Sequence, residues 1–458
     1  MIEKPSDSPA PTENPPITKV QSRNPLGWIV LAVLFSLAIL NSLQTYLSPN
    51  KAEAPKPSLR QDTMQIEMIV SMQRLVGDSA MLRESNKATW TTLAERTVKL
   101  QKTEPEAAKI TAVLKREAGE KLAKADLAAL AKADNGDVWT KVVSAEKPSL
   151  AEAKELANRI TATDFISTLA KVQVRERGGD KEARGQLIST KKGVTAILVG
   201  AVIGFILLTG GICWVAYLIA RKAGEFVPKG LPLHTTDGPT LDRIALLAAG
   251  LLLGFLILSY VIPNALRGIS TTLASAVSGA AMLVWTGTAI KLSGFTLEEI
   301  GIHRKDFGKN ILLGIGAFTM ELPVAGLFAF LGTQVLSFLP TPSHPASTTL
   351  MENQSPAVVM SLLFFGAFVA PIWEEIMFRG LLFPALTGVT RRIVFSGFAS
   401  SFIFAMIHPQ GIPIWFALAT VGGASCMLLN QTRSLVPSIV MHACHNFTLL
   451  CLTVTLFS

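Results

Sequence analysis

Ionisable side chains stand inside apolar stretches near the C-terminal end of this sequence. They form three groups, Glu374-Glu375-x-x-x-Arg379, Phe404-x-x-x-His408 and His442-x-x-x-Asn446. Charged groups in a bilayer are costly and usually serve a function. A buried carboxylate is a competent general base, an imidazole can share its proton or bind a metal, and a carboxamide can stabilise an oxyanion. The three groups therefore predict a water-activating site within a membrane.

The helical rise predicts that these groups reach similar depths. If the chain turns at Arg391, Glu374 and His408 each stand 17 residues from the turn, which is about 25 Å along a helix. His442 and Asn446 lie roughly 14 and 20 Å beyond the next predicted turn, and their i, i+4 spacing puts them on one helix face. Three neighbouring spans can therefore bring their polar groups together.

The elements that must hold this site are apolar helices joined to a hydrophilic domain. The chain has 458 residues, of which 49% are hydrophobic and 16% charged. Residues 49–192 contain 26 basic and 20 acidic residues, whereas residues 193–458 contain only ten acidic residues. The net charge of +9 is spread over the hydrophilic domain and the loops without a compact basic tract, which argues against nucleic acid as a partner.

Hydropathy divides the chain into four segments. We predict a disordered tail at 1–25, an uncleaved membrane anchor at 26–48, an extramembrane helical domain at 49–192 and an eight-helix membrane domain at 193–458. The last eight spans are predicted at 194–220, 244–263, 271–290, 311–338, 356–388, 393–408, 412–430 and 434–456. The expected fold class is all-α, a polytopic membrane protein with about nine transmembrane helices and an inserted hydrophilic domain.

Loop charges and cysteines bound the location. With a cytoplasmic N-terminus, the inner loops of the last eight spans hold 11 basic residues and the outer loops hold one. The positive-inside rule then places the N-terminus in the cytoplasm and residues 49–192 outside it. The four cysteines form no C-x-x-C pair, so neither a disulfide framework nor a cysteine zinc cluster is expected.

The three motifs, in this order on successive spans, resemble the CPBP family, the CAAX-prenyl-protease and bacteriocin-processing intramembrane proteases, which include the type II CAAX endopeptidases. The segments 295–302, 373–380 and 438–443 carry the resemblance, which extends over about 270–456. It implies a metal-linked endopeptidase of a bacterial cytoplasmic membrane. The implied partners are the lipid bilayer and a membrane-protein or lipidated-peptide substrate.

The same resemblance implies a role for each motif residue. Glu374 would activate water together with His408. His442 and Asn446 would bind a metal or stabilise the oxyanion. The remaining motif residues would orient or support the site: Glu375, Arg379 and Phe404. The implied cofactor is a divalent metal, with zinc first among the candidates, and its implied ligands are Glu374, His408, His442 and Asn446.

Other interpretations stay open at this stage. The protein could be a non-catalytic scaffold or immunity-type factor of the same fold, or a proton-coupled transporter that uses its buried Glu and His side chains. The two glutamates could also be a snorkelling pair balanced by Arg379, and His442 with Asn446 could form interhelical hydrogen bonds. The sequence assigns no role to Glu321 or His445.

Overall fold

The structure is a computed structural model that describes residues 25–47, 63, 66–67, 69–70, 80–101, 104–187, 190–233, 237–266, 271–336, 338–339 and 344–457. These residues form helices and connecting turns, with no strand among them, so the all-α fold class is confirmed. The predicted tail and most of an expected helix near residues 64–76 lie outside the described residues.

Sixteen helices are numbered here along the described chain. They are α1 Leu26–Leu47, α2 Ala80–Leu100, α3 Ala107–Glu117, α4 Lys124–Leu130, α5 Gly136–Ser144, α6 Leu150–Arg159, α7 Phe165–Arg177, α8 Thr190–Lys222, α9 Gly238–Ala265, α10 Thr271–Ser293, α11 Phe307–Val335, α12 Pro345–Glu352, α13 Pro356–Thr390, α14 Ile393–Met406, α15 Trp415–Thr432 and α16 Val436–Phe457. Short 3₁₀ turns cover Ala183–Leu187 and Ile412–Ile414.

Eight of these helices are long and apolar enough to cross a bilayer: α1, α8, α9, α10, α11, α13, α15 and α16. The apolar helix α14 is shorter, with 14 residues. Among the described residues this gives eight full spans and one short one, close to the predicted bounds. The chain is therefore a multi-pass integral membrane protein.

Helix α13 is longer than one straight span needs, and the sequence suggests kinks at its prolines. The structure instead keeps one continuous helix that contains two π-helical segments, Phe364–Val369 and Ile376–Leu382. Pro371 and Pro384 each lie two residues after one of these segments. Proline has no backbone N–H and its ring clashes with the preceding turn, and the wider π turn accommodates both defects.

One compact unit comprises Met1–Gln44, Ala216–Leu339 and Phe364–Cys444. Its core is apolar and includes buried side chains from α1, α9, α13 and α15. Helix α1 joins this core: the Phe35 and Phe378 ring centroids are 5.9 Å apart, and Trp28 Nε1 donates a hydrogen bond to Asp242 Oδ1 at 3.0 Å. The first span up to Gln44 therefore belongs to the same compact unit as Glu374, Glu375, Arg379, His408 and His442.

A second compact unit comprises Thr45–Val215, Pro340–Leu363 and His445–Ser458. Its hydrophilic part packs α2 to α7 around a core that includes Trp90, Leu114 and Leu169. The stretch 107–130, which has one helical pattern, is two helices here, because Gly119 adopts φ +76° and breaks the run between them. The boundaries of the predicted hydrophilic domain stay a prediction.

Candidate active site

The two adjacent glutamates of α13 differ in exposure. The Glu375 side chain is completely buried, whereas 16% of the Glu374 side chain is exposed. Neighbouring residues on an α-helix point about 100° apart, so one carboxylate faces the protein interior and the other reaches accessible space. Of the two, Glu374 is the one that a substrate or a water molecule can approach.

One oxygen of Glu375 collects three polar contacts. Its Oε1 lies 3.1 Å from Arg379 Nη1 and 3.0 Å from His442 Nδ1, and it accepts a hydrogen bond from Ser425 Oγ at 3.2 Å. These contacts come from the same helix, from α16 and from α15. Glu375 therefore ties three helices together and orients its neighbours.

Arg379 lies one turn after Glu375 and is completely buried. Its Cζ atom stands 4.5 Å from the ring centroid of Phe404 and 5.7 Å from that of Phe378. None of its three guanidinium nitrogens makes an aligned hydrogen bond to the described residues. The cation is therefore held by its charge contact with Glu375 and by the faces of two aromatic rings.

His442 bridges the two glutamates. Its Nδ1 faces Glu375 Oε1, and its Nε2 lies 3.5 Å from Glu374 Oε2. A carboxylate on one ring nitrogen fixes the orientation and the tautomer of an imidazole, because the nitrogen that faces it carries the proton. The second nitrogen is then available to exchange a proton with Glu374.

His408 follows the end of α14 and is fixed at both its side chain and its backbone. Its Nδ1 lies 2.6 Å from the carbonyl oxygen of Phe404. Since a carbonyl only accepts, Nδ1 carries the hydrogen, and Nε2 keeps its lone pair. The backbone oxygen of His408 accepts a hydrogen bond from Ser42 Oγ at 2.7 Å, so α1 contributes to the site.

Phe404 is the contact point of the cluster. Its ring centroid lies 4.5 Å from that of His408 and 5.7 Å from that of His442, and the Arg379 guanidinium stacks over it. The side chain is 1% exposed. The structure thus brings together the following sequence-predicted residues: Glu374, Glu375, Arg379, Phe404, His408 and His442.

Three further candidates lie on α11 and α16. Asn446 follows His442 by one turn of α16 and is half-buried. His445, on the same helix, is buried. Glu321 is buried in α11.

Residues 356–448 match a family model described as type II CAAX prenyl endopeptidase Rce1-like. This segment is similar to that family, and it is called the Rce1-like domain for that similarity. It holds all three motifs, so the family resemblance of the sequence is confirmed, although the matched segment is shorter than the expected 270–456. No curated protein and no solved structure matches the chain. Similarity to a protease family supports a general protease function for this membrane protein.

Two serines that touch the motif residues of the Rce1-like domain were not predicted from the sequence. Ser425 contacts Glu375 from within the domain, and Ser42 reaches the His408 backbone from outside the matched segment. Both are small polar residues in apolar spans, and both are 4% exposed or less. Many serines in such spans bond only to their own helix, so composition alone does not single these two out.

A metal ion in the Rce1-like domain would need several ligand side chains that lie close together. Structural and catalytic zinc sites use three or four protein ligands. Among the described side chains, no three His, Cys, Asp or Glu residues lie close enough to hold one ion. The predicted zinc ion therefore stays a prediction, and the catalytic steps below use the protein's own groups.

Proposed function

We propose that this protein is an intramembrane endopeptidase that hydrolyses peptide bonds of membrane-associated substrates with water activated by Glu374. The observation that carries the proposal is the chain of contacts Glu374–His442–Glu375 inside an Rce1-like domain. An accessible carboxylate beside an imidazole that a second, buried carboxylate orients is an arrangement suited to general acid–base catalysis.

The difference in burial supports distinct roles for the two glutamates. Glu375 has one oxygen occupied by three contacts and is inaccessible, so it positions His442 and neutralises Arg379. Glu374 is partly exposed. We therefore assign the role of base to Glu374 and a positioning role to Glu375.

The proposed reaction has two proton transfers. Glu374 takes a proton from water while the lone pair on His408 Nε2 accepts the other water hydrogen and orients the oxygen for attack on the carbonyl carbon. The amide N–H₂ group of Asn446 donates to the resulting oxyanion. Protonated Glu374 then gives its proton to the leaving amine as the C–N bond breaks, and His442 Nε2 shares that proton through its contact with Glu374.

The deciding experiment measures cleavage by purified full-length protein in detergent. The substrates are a library of membrane-associated peptides, some prenylated and some not, and the variants are Glu374→Gln and, as a matched control, Glu298→Gln at an exposed loop position. General-base catalysis contributes about 10²–10⁴-fold, so we expect a loss of that size in Glu374→Gln and none in Glu298→Gln. Equal cleavage by wild type and Glu374→Gln, with both folded, would refute the proposal.

The same variants address the other function classes. Glutamate-dependent cleavage would set aside a non-catalytic scaffold or immunity-type factor. Proton-coupled flux in liposomes that survives Glu374→Gln would favour a transporter. The zinc ion is tested separately, since loss of activity with a chelator and its return with zinc would establish the metal.

Two further parts of the proposal concern location and recruitment. We propose a cytoplasmic N-terminus in a bacterial cytoplasmic membrane, with residues 49–192 outside the cytoplasm, which is supported by the loop charges. We also propose that the hydrophilic domain selects substrates. Its deletion should then change which library members are cleaved, and an unchanged substrate profile would contradict this role.

A further inference from the structure

A polar cleft of about 480 Å³ opens in the hydrophilic part of the chain, between residues 90 and 184. Its lining contains three arginines and three glutamates together with one aromatic ring. The lining residues are Trp90, Arg116, Glu117, Gly119, Glu120, Gln173, Glu176, Arg177 and Arg184. The volume lies in the range of small-molecule sites, about 300–1,000 Å³, and the arrangement of the charges indicates what such a site would take.

Arg184 forms ion pairs with two of the three carboxylates. Its Nη2 lies 3.0 Å and its Nη1 3.2 Å from the two oxygens of Glu117. Its Nε and Nη2 each lie 2.7 Å from an oxygen of Glu176. All three nitrogens of this guanidinium are therefore used within the wall of the cleft, and Glu117 and Glu176 are not free to pair with the other arginines.

Arg116 and Arg177 make no direct ion pair with a carboxylate among the described residues. Arg116 Nε donates to the carbonyl of Val143 at 2.9 Å, and Arg177 donates to the carbonyls of Ala145 and Val142 at 2.7 and 2.8 Å. These carbonyls lie at the C-terminal end of α5, where the helix dipole is negative and attracts cations. Both Nη atoms of Arg116 and the Nη1 atom of Arg177 are left without a hydrogen bond in the described structure.

The two cations also act on each other. Burial and the positive charge of Arg116 together lower the pKa of Arg177 to about 10, although the negative charges of Glu176, Glu117 and Glu146 act in the opposite direction. Two guanidinium groups held close together, neither of them in a direct ion pair, offer N–H groups to an anion, and their planar forks match the two oxygens of a carboxylate.

The third carboxylate limits the charge of that anion. Glu120 accepts a hydrogen bond from Thr91 Oγ1 at 2.8 Å and makes no ion pair with a described residue. It repels a second negative charge and can accept an N–H group. The lining therefore favours a monoanion that also carries N–H donors over a multiply charged phosphate.

We propose that this cleft binds the carboxylate end of a short peptide, with Arg116 and Arg177 on the carboxylate and Glu120 on an N–H group of the same molecule. Among common small monoanions, a peptide end carries both a carboxylate and N–H donors. The proposal rests on the cleft alone and does not depend on the proposed protease activity.

The test uses full-length protein in detergent that carries Glu374→Gln, so that the proposed protease activity does not consume the probe. Isothermal titration measures binding of trialanine with a free carboxylate, of the same tripeptide as its C-terminal amide, and of inorganic phosphate. We expect saturable binding of the free acid, and affinity lower by about tenfold or more for the amide and for phosphate, since hydrogen bonds to charged groups contribute that much.

Substitutions then locate the binding. We expect Arg116→Met and Arg177→Met to weaken binding of the free acid by about tenfold or more. The matched control is Arg159→Met, since Arg159 pairs with Glu155 on the exposed face of α6 and does not line the cleft. It should leave the affinity unchanged. Because Arg177 also holds two carbonyls, circular dichroism checks folding, and if either Met variant is unfolded, Arg116→Lys decides by losing affinity while it keeps the charge.

Three results would overturn the proposal. The first is equal affinity for the free acid and the amide, or no binding of either. The second is unchanged affinity in a folded Arg116→Met or Arg116→Lys variant. The third is tighter binding of phosphate than of trialanine, which would indicate a site for inorganic anions.

Discussion

Removal of the Arg379 charge should destabilise the membrane unit strongly. Arg379 and Glu375 are both completely buried, and Nη1 lies 3.1 Å from Oε1. At an effective dielectric constant near 20, two unit charges at this distance attract by about 5 kcal/mol. Loss of one partner of a buried ion pair costs about 3–5 kcal/mol, because the other charge stays buried without compensation. We therefore expect Arg379→Met to lower the free energy of unfolding by about 3–5 kcal/mol.

The double variant Glu375→Gln/Arg379→Met separates charge from packing. It removes both charges, and the glutamine carbonyl can still accept from His442 Nδ1. It should regain more than half of the stability lost in the single variant. The cation–π contact with Phe404 is absent from both variants, and its loss, about 2 kcal/mol, remains. Unfolding in mixed micelles, followed by circular dichroism, measures all three proteins.

Two outcomes would refute this reasoning. The single variant could lie within about 1 kcal/mol of the wild type, which would mean that the charge on Glu375 is compensated without Arg379. Alternatively, the double variant could be as unstable as the single one, which would assign the loss to packing against the aromatic rings.

Three further predictions concern other parts of the molecule. Ser42→Ala should lower kcat about fivefold to tenfold with little change in KM, because the His408 backbone oxygen loses its hydrogen-bond donor. Ser42→Thr keeps a hydroxyl and should restore kcat. Steady-state cleavage assays measure both variants, and an unchanged kcat in Ser42→Ala would contradict this prediction. The backbone nitrogen and the hydroxyl of Ser149, the N-cap residue of α6, donate hydrogen bonds that lower the pKa of Glu152. The ionised carboxylate therefore stabilises the fold at pH values above its unfolded pKa, near 4.3. This stabilisation is lost as the pH falls through the lower pKa of the folded state. The thermal midpoint of Glu152→Gln should thus lie below that of the wild type at pH 7 and coincide with it at a pH below the folded pKa of Glu152. A difference that stays constant with pH would contradict this prediction. A Cβ atom at Gly332 would overlap with the backbone oxygen of Pro413, so Gly332→Ala should cost about 1–3 kcal/mol of unfolding free energy. Gly326 lies on the same helix with open space around it, so Gly326→Ala should gain about 0.5–1 kcal/mol. Equal effects of the two substitutions in denaturation would count against this packing.

Hydropathy and charge predict most of the membrane fold because the bilayer leaves few choices. A helix satisfies all its backbone hydrogen bonds internally, so a long apolar run in a membrane is almost always a helix. The turn at Arg391 is an example: the break in hydropathy predicts it, and in the structure Arg391 adopts φ +58° and ends α13. The contact between Glu375 and Arg379 likewise follows from their i, i+4 spacing.

The sequence does not predict which glutamate is accessible. Glu374 and Glu375 are adjacent and flanked by apolar residues on both sides, so no amphipathic pattern orients α13. Their exposure depends on the π segment Phe364–Val369, which rotates the turn that follows it, and on the packing of α15 and α16. The roles of the motif residues stay predictions until the variants are measured.

Some local breaks are also invisible to helical periodicity. The stretch 107–130 keeps apolar residues at helical spacing on both sides of Gly119, and only the positive φ of that glycine separates α3 from α4.

The pairing of the charged residues in the cleft cannot be predicted from the sequence either. Arg116 and Arg184 look alike in the sequence, and only the three-dimensional contacts assign two carboxylates to Arg184 and none to Arg116.

The hydrogen bond between Ser42 and His408 has a consequence for the order in which the protein is made. The two residues are 366 positions apart. At roughly 5–20 residues per second, the ribosome needs about 20–70 s to travel from one to the other. During that time α1 is already synthesised and must persist as a single helix without its final neighbours, as independently stable membrane helices do before they associate. The His408 backbone is therefore fixed only late in synthesis, when the C-terminal spans pack against α1, which is already in the membrane.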